Sequence, residues 1–146
     1  MDKQELADLI PHAGLMCLNE GVISWDELTA VCVTDTHQKG NNPLIKDGKL
    51  SCLHAIEYCA QVMAVHGGLL AREKGEKLAP GYLAAIRDVS LTHDYLDDIK
   101  ESLYVSVKQL MAQAGNLMYE FLMYYGEEDN KVTVASGRAT VIQMVK

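Results

Sequence analysis

The sequence lacks any apolar run long enough to cross a membrane, since a spanning helix needs roughly 20 such residues. Its first residues, MDKQELADL, are polar and acidic rather than basic and then apolar. That order differs from the one found in secretory signal peptides. These two absences predict a cytoplasmic protein with no membrane span.

The cysteines also lack a pattern that would give them a chemical role. Cys17, Cys32, Cys52 and Cys59 form no C-x-x-C pair and stand in apolar surroundings, which is typical of reduced, buried cysteine. No pair of histidines has the spacing of a metal site. We therefore expect no disulfide, no metal and no cofactor.

Basic residues are outnumbered by acidic ones. Thirteen Lys and Arg against 20 Asp and Glu give a formal net charge of −7, which argues against nucleic acid as a partner. With 146 residues, 49% of them hydrophobic and 23% charged, the chain has the size and composition of one globular domain. We expect residues 1–146 to form a single domain.

The stretch 51–74 predicts a long, mostly buried helix. No proline interrupts it, apolar residues cover most of its circumference, and Ser51 suits the N-cap position. Polar side chains stand at i, i+3, i+4 and i+7, so they form one stripe on the first turns. The stripe consists of His54, Glu57, Tyr58 and Gln61.

The segments around this helix have the alternation and the turn residues of strands. Residues 3–9 predict a short helix that Pro11 ends, 15–24 and 27–34 predict a hairpin, and 35–49 predict a surface loop. Four more strands are predicted at 82–91, 102–110, 117–125 and 131–145, with a bulge or sharp curvature at Gly137. This order predicts an α+β fold in which a curved antiparallel sheet wraps one helix. Since the sheet can cover only part of the helix, we also expect a dimer.

Three segments carry a family likeness: PHAGLMCLNEGVISWD at 11–26, NPLIKDGKL leading into AIEYCAQ at 42–61, and PGYLAAIRDVSLTH at 80–93. Together they resemble the hot-dog fold 3-hydroxyacyl-[acyl carrier protein] dehydratases of bacterial fatty acid synthesis, and most of all the dehydratase-like subunit of aryl polyene clusters. The resemblance implies a hot-dog fold. It also implies an acyl thioester substrate, linked to acyl carrier protein or to coenzyme A, in fatty acid or polyene synthesis.

The family's dehydratases use a histidine in the loop before the central helix and an acidic residue on that helix. The histidine removes the α-proton and the acid helps the β-hydroxyl to leave. The resemblance gives the acidic role to Glu57, in AIEYCAQ. The family's histidine stands in a G-H-F-P motif, and its ungapped equivalent in this sequence is Pro43.

Candidate site residues follow from the stripe and from the resemblance. Glu57 and His54 are the catalytic candidates, because they stand one turn apart on an otherwise apolar helix, where an unpaired carboxylate is costly. A histidine relocated from elsewhere, such as His37, could act if its loop folds back. The substrate-binding candidates are His12, Asn42, Pro43, Tyr58 and Gln61, of which the last two could equally be polar residues of a dimer interface.

Other features concern the substrate and its carrier. Unpaired N–H groups at the amino end of the helix would suit a thioester carbonyl. An acyl tunnel is expected between residues such as Met63 and the strand that carries Ala84 and Ile86. Two basic groups could receive an acidic carrier protein, namely Lys39, Lys46 and Lys49 before the helix and Arg72, Lys74 and Lys77 after it.

Three functions stay open at the level of sequence. The first is a dehydratase that uses Glu57 and a relocated histidine. The second is an acyl-thioester hydrolase of the same fold, in which one carboxylate activates water. The third is a non-catalytic subunit that completes the dimer of a paralogous dehydratase, so the sequence leaves open a homo-dimer or a hetero-dimer.

Overall fold

The computed structural model describes Gln4, Glu5 and Asp8, residues 17–76 and residues 81–143. In these residues one long helix, α1 (Ala55–Glu73), lies against a six-stranded sheet. The predicted arrangement of a sheet around one central helix is therefore confirmed. The strands are β1 (Gly21–Trp25), β2 (Thr29–Thr34), β3 (Gly81–Leu91), β4 (Leu103–Gln113), β5 (Asn116–Tyr125) and β6 (Val132–Gln143).

The sheet is antiparallel throughout and has the order β1-β2-β4-β5-β6-β3. The helix packs on β2, β4 and β5, which lie in the middle of the sheet. Strand β3 follows the helix in the chain but lies at the edge of the sheet, beside β6. The fold therefore leaves one flank of the helix, and the whole of β3, without a neighbouring layer.

The core lies between the helix and the middle strands. From α1 it takes Tyr58, Val62 and Val65, and from the facing strands Val105 and Phe121, all of them buried. Their spacing of three and four residues along the helix places them on one face. Each such side chain stabilises the fold by about 1.5–3 kcal/mol when it leaves water, so this face fixes the helix on the sheet.

The amino end of the helix is fixed by the segment that follows β3. A 3₁₀ turn, Cys52–His54, precedes α1, and the Ser51 hydroxyl accepts the Leu53 N–H at 3.2 Å, as an N-cap does. The Cys52 N–H donates to the carbonyl oxygen of Asp94 at 2.9 Å. The Leu50 N–H donates to Oδ1 of Asp97 at 2.8 Å. These bonds hold the first turn of the helix against residues 94–97.

The structure changes two of the predicted segments near the amino terminus. Strand β1 begins at Gly21 rather than at residue 15, because Leu18 and Asn19 bond to the helix and to the side chains of Thr34 and Thr36 instead of extending the ladder. Residues 35–49 are not only a surface loop, since they hold a 3₁₀ turn, Thr36–Gln38, and a buried Asn42. Of the predicted helix at 3–9, Gln4, Glu5 and Asp8 are helical, and its other residues, like Pro11, lie outside the described ranges.

The irregularity expected at Gly137 lies in the strand beside it. Arg87 pairs with Arg138 and Ser90 with Ser136, so Asp88 and Val89 together oppose the glycine and form a bulge in β3. Asp88 has a φ of 54°, in the left-handed region that Asp tolerates better than most residues. A Cβ atom at Gly137 would lie 2.7 Å from the Phe121 ring and 3.1 Å from the Arg87 carbonyl oxygen. Position 137 therefore requires glycine, because the Phe121 ring and the Arg87 carbonyl oxygen leave no room for a Cβ atom.

Replacing this glycine tests the packing directly. Gly137→Ala should lower the free energy of unfolding by about 1–3 kcal/mol, the usual cost of overpacking a tight core. Gly40→Ala is the matched control, because no atom lies within 4 Å of a Cβ at that position. Chemical denaturation of both variants measures the difference, and equal stabilities would contradict the close approach.

Candidate active site

The two catalytic candidates lie at the exposed amino end of α1. Glu57 is exposed and His54 is half-buried. Neither side chain makes a hydrogen bond or an ion pair within the described part of the chain, so the hydrogen bond considered between them is not formed. Both side chains are free to meet a substrate or a second subunit.

Glu57 escapes burial because the sheet does not cover this flank of the helix. Ala60, Ala64, Gly67 and Ala71 follow Glu57 at intervals of three and four residues, and all four are only partly buried. The expectation that an apolar helix encloses Glu57 is therefore wrong for a single chain. The open flank is a smooth surface of small residues with a carboxylate at its amino end.

The backbone amides at this helix end are already bonded. Cys52 N–H donates to Asp94, Leu53 N–H to the Ser51 hydroxyl, and His54 N–H to the Ser51 carbonyl oxygen at 3.1 Å. The Ala55 N–H bonds within the 3₁₀ turn. The prediction that unpaired amides here hold a thioester carbonyl is wrong, because the cap and the segment after β3 take up these donors.

Tyr58 and Asn42 belong to a buried hydrogen-bond network. The Asn42 amide donates to the Tyr58 hydroxyl at 2.9 Å and to the Thr36 carbonyl oxygen at 3.0 Å. The Thr36 hydroxyl lies 2.8 Å from the Tyr58 hydroxyl and donates to the Leu18 carbonyl oxygen at 2.7 Å. The proton of the Tyr58 hydroxyl is therefore directed at Thr36. Burial raises the pKa of Tyr58, so this hydroxyl stays neutral.

Gln61 continues this network one turn along the helix. Its Oε1 accepts the Leu18 N–H at 2.8 Å. The Asn19 amide donates to the Tyr58 carbonyl oxygen at 3.1 Å. Together these bonds join α1 to the segment before β1. At Leu18 this segment is not paired with a strand.

The substrate-binding candidates are thus placed differently from one another. Tyr58, Asn42 and Gln61 are buried and bonded within the chain, whereas Pro43 is exposed directly beside Asn42. His12 lies outside the described residues. A role in substrate binding stays a prediction for all five. The hydrogen bonds also give Tyr58, Asn42 and Gln61 a structural role, which the sequence alone did not distinguish from substrate binding.

Two other histidines are held in the core. Nε2 of His37 lies 3.0 Å from the carbonyl oxygens of Ile99 and of Glu101, which makes that nitrogen a donor. His66 contacts the Tyr119 hydroxyl through Nδ1 at 2.8 Å and the Asp26 carbonyl oxygen through Nε2 at 3.0 Å. Burial lowers the pKa of both imidazoles. His37 therefore bonds to residues 99 and 101, and His66 connects the helix to Tyr119 and Asp26.

The basic groups proposed to receive a carrier protein are partly neutralised. Lys39 pairs with Glu20. Lys49 lies 3.1 Å from Asp98, which raises the pKa of that lysine. Among the described members of the two groups, Lys46, Arg72 and Lys74 are exposed and have no ion pair; Lys77 lies outside the described ranges.

The cysteines agree with their predicted state. All four are buried and none is in a disulfide, and burial raises the pKa of Cys32 to about 12. Residues 17–76 and 81–143, with the three described residues before them, contain no cluster of three or more potential metal ligands. In the same residues no helix has the length and apolarity to cross a bilayer.

The hydroxyl of Tyr58 separates a structural role from a role in substrate binding. Tyr58→Phe should lower the free energy of unfolding by about 1–3 kcal/mol, because it removes one hydrogen-bond partner from each of the buried Thr36 and Asn42 side chains. Tyr82→Phe is the control, since Tyr82 is 57% exposed. Unchanged stability in denaturant together with a raised KM would instead assign the hydroxyl to the substrate.

Comparison with known proteins places the chain in a family. A family model described as ApeP dehydratase, of the ApeP-like family, matches residues 4–146. No curated protein matches the sequence significantly.

Several solved structures share the fold. In the dehydratase heterocomplex ApeI:P from Xenorhabdus doucetiae, the match has a TM-score of 0.84 and 23% identity and covers 97% of this chain and 91% of that chain. Zebra fish thioesterase superfamily member 2 matches with a TM-score of 0.64 and 17% identity, over 97% and 95% of the two chains. A hypothetical thioesterase with coenzyme A from Streptococcus pneumoniae TIGR4 matches with a TM-score of 0.59 and 12% identity, over 84% of each.

Because these identities are 12–23%, the structural matches show only that the fold is shared. Membership of the family is shown by the family model. The helix wrapped by an antiparallel sheet is the hot-dog fold expected from the sequence. With a family match over residues 4–146, the chain belongs to the ApeP-like dehydratase family.

Proposed function

We propose that this chain is one subunit of a dimeric dehydratase that removes water from 3-hydroxyacyl chains held as thioesters on acyl carrier protein. The observation that carries the proposal is the free carboxylate of Glu57 at the exposed amino end of α1. In a family of dehydratases, an ionisable group with no partner among the described residues of its own chain is suited to proton transfer. The family membership supports the reaction, and the exposure supports the access of a substrate.

The reaction needs an acid and a base on either side of the C2–C3 bond. The protonated carboxyl of Glu57 would donate its proton to the departing C3 hydroxyl, which leaves as water. A base would take the C2 proton, and the electrons of the C2–H bond would form the double bond. Glu57 supplies one of these two functions, so the site also requires a base from this chain or from its partner.

The exposed edge of the sheet supports a dimer. Tyr82 and Ile86 on β3 are 57% and 41% exposed. An exposed apolar strand at the edge of a sheet favours pairing with another chain. Ile86 pairs with Ala139, which is buried, so Ile86 lies on the face of the sheet that also holds the helix. Between β3 and the small residues of the helix flank lies the region expected to contain the acyl tunnel.

The second subunit would close this region. Met63 is buried while Ala84 is exposed, so a tunnel between them needs a wall that the single chain does not supply. A paralogous dehydratase is the partner we favour, because the similar structure from Xenorhabdus doucetiae is a heterocomplex. A second copy of this chain is the alternative.

Hydrolysis of the thioester is the second candidate reaction. It is favoured by one observation, the proline that stands where the family's dehydratases have their histidine. Two of the solved structures that share the hot-dog fold are named as thioesterases, so proteins named for thioester hydrolysis also have this fold. In this case Glu57 would activate water, and the product would be a free acid and a thiol.

A single substitution tests the role of Glu57. Glu57→Gln keeps the size of the side chain but removes its ionisable proton, so turnover should fall by about 10²–10⁴-fold. Glu73→Gln, at the exposed far end of the same helix, should leave turnover unchanged. The assay follows a 3-hydroxyacyl thioester on acyl carrier protein, with the paralogous dehydratase absent and present.

The products separate the three functions. An enoyl thioester that requires Glu57 supports the dehydratase, whereas a free thiol identifies a hydrolase. Activity that depends on the paralogue and survives Glu57→Gln would make this chain a non-catalytic subunit. A Glu57→Gln variant that assembles normally and keeps full activity would rule out the catalytic role.

The edge strand provides a separate test of assembly. Ile86→Lys should shift the protein from dimer to monomer, because a charge would be buried in the proposed interface. Leu110→Lys on β4 is the control, since Leu110 has nearly the same exposure, 40%, but lies away from β3. Sedimentation at micromolar concentration measures both; a wild-type monomer, or an Ile86→Lys dimer as stable as the wild type, would contradict the interface.

A further inference from the structure

The residues that follow β3 hold an imidazole in a defined orientation. His93 is half-buried, and its Nδ1 lies 2.7 Å from the hydroxyl oxygen of Thr92. The Thr92 hydroxyl in turn lies 2.6 Å from the carbonyl oxygen of Thr133 on β6. The ring of His93 also meets the ring of Tyr125 edge to face, with centroids 5.9 Å apart at 73°. Two independent contacts thus fix the ring.

These contacts determine which nitrogen of His93 carries a proton. A carbonyl oxygen cannot donate, so the single hydroxyl proton of Thr92 must point to Thr133. The hydroxyl oxygen therefore accepts from His93, and Nδ1 is protonated. In the neutral ring Nε2 then holds the free lone pair, and it has no hydrogen-bond partner among the residues that the structure describes.

Backbone contacts join the residues that follow His93 to the turn that leads into α1. The Cys52 N–H donates to the carbonyl oxygen of Asp94, and Ser51 and Tyr95 form a β-bridge. Cys52 begins the 3₁₀ turn that leads into the first turn of the helix, where Glu57 is exposed. His93 and Glu57 thus belong to the same end of the molecule.

The other histidines of the described chain are less suited to act as a base. His37 and His66 are fully buried and already use Nε2 on backbone carbonyls. His54 is accessible, but no hydrogen bond orients its ring. His93 alone among these four combines a fixed Nδ1–H with an unoccupied Nε2, the arrangement in which a hydrogen-bonded third group orients a catalytic base.

We propose that His93 is the general base of this site and replaces the histidine that is absent at position 43. This assignment rests on the proposed dehydratase function. Nε2 of His93 takes the C2 proton of the 3-hydroxyacyl thioester, the C2–H electrons form the C2–C3 double bond, and the C3–O bond breaks as the carboxyl of Glu57 protonates the leaving hydroxyl. Enoyl thioester and water are released. The His93 imidazolium then loses its proton to solvent, and the Glu57 carboxylate takes one up from solvent.

The test compares His93→Gln with the wild-type protein, assayed in the complex that turns over the substrate. We expect kcat to fall by about 10²–10⁴-fold, while KM and the oligomeric state stay unchanged. Lys100→Gln, an exposed change a few residues away, should keep wild-type activity. Free imidazole should restore turnover to His93→Ala but not to Glu57→Gln, which a merely structural histidine would not allow.

The outcomes distinguish this assignment from the proposed function. If the wild type forms enoyl thioester and Glu57→Gln does not, but His93→Gln keeps full kcat, the dehydratase stands and His93 is not its base. A loss of kcat in His93→Ala that imidazole leaves unchanged also overturns the assignment. If the wild type forms no enoyl thioester with or without the paralogue, the proposed function fails and the base assignment fails with it.

Discussion

The attachment of the helix's amino end to the segment after β3 is the constraint on which the site depends. The strands that cover α1 are β2, β4 and β5, whereas β3 lies at the far edge of the sheet. The edge strand and the helix would be independent of each other if only packing joined them. The bonds from Cys52 to Asp94 and from Leu50 to Asp97 connect them at one end. Because the first bond joins two backbones and the second ties a backbone amide to a carboxylate, they restrict where His93 and Glu57 can lie.

A second set of bonds holds the helix from the opposite side. The Tyr58, Asn42 and Thr36 groups are buried, and their hydrogen bonds satisfy one another. A buried polar network of this kind is costly when it is incomplete and rigid when it is complete. It therefore fixes the loop before the helix, including the exposed Pro43, and its one ionisable group, the Tyr58 hydroxyl, has its pKa raised by burial. In the proposed function, the chemistry is left to side chains on the open flank.

In the proposed function, the same open flank connects chemistry with assembly. Small residues along α1 and apolar residues on β3 border a surface that water would otherwise cover. A partner that buries this surface would also lower the local dielectric around Glu57 and strengthen its electrostatic interactions. Activity and dimer formation would then depend on one another.

The sequence alone determined the elements, their order and the family. Alternation and turn residues predicted the four later strands to within a few residues, and the 51–74 pattern predicted the helix, because both depend on local periodicity. The buried parts of residues 35–49 and the true start of β1 were not predictable, since they depend on bonds between distant segments such as Leu18 and Gln61. The histidine contacts were hidden for the same reason, as Thr92 is oriented by Thr133 across the sheet.

Only the tertiary structure decided how the polar stripe of the helix is divided. The sequence placed Glu57 and Tyr58 in one stripe, but successive residues of a helix point about 100° apart. The edge of the sheet falls between these two directions, so Tyr58 is enclosed while Glu57 stays in solvent. Periodicity fixes which residues share a face, whereas the extent of the neighbouring layer decides which part of that face is buried.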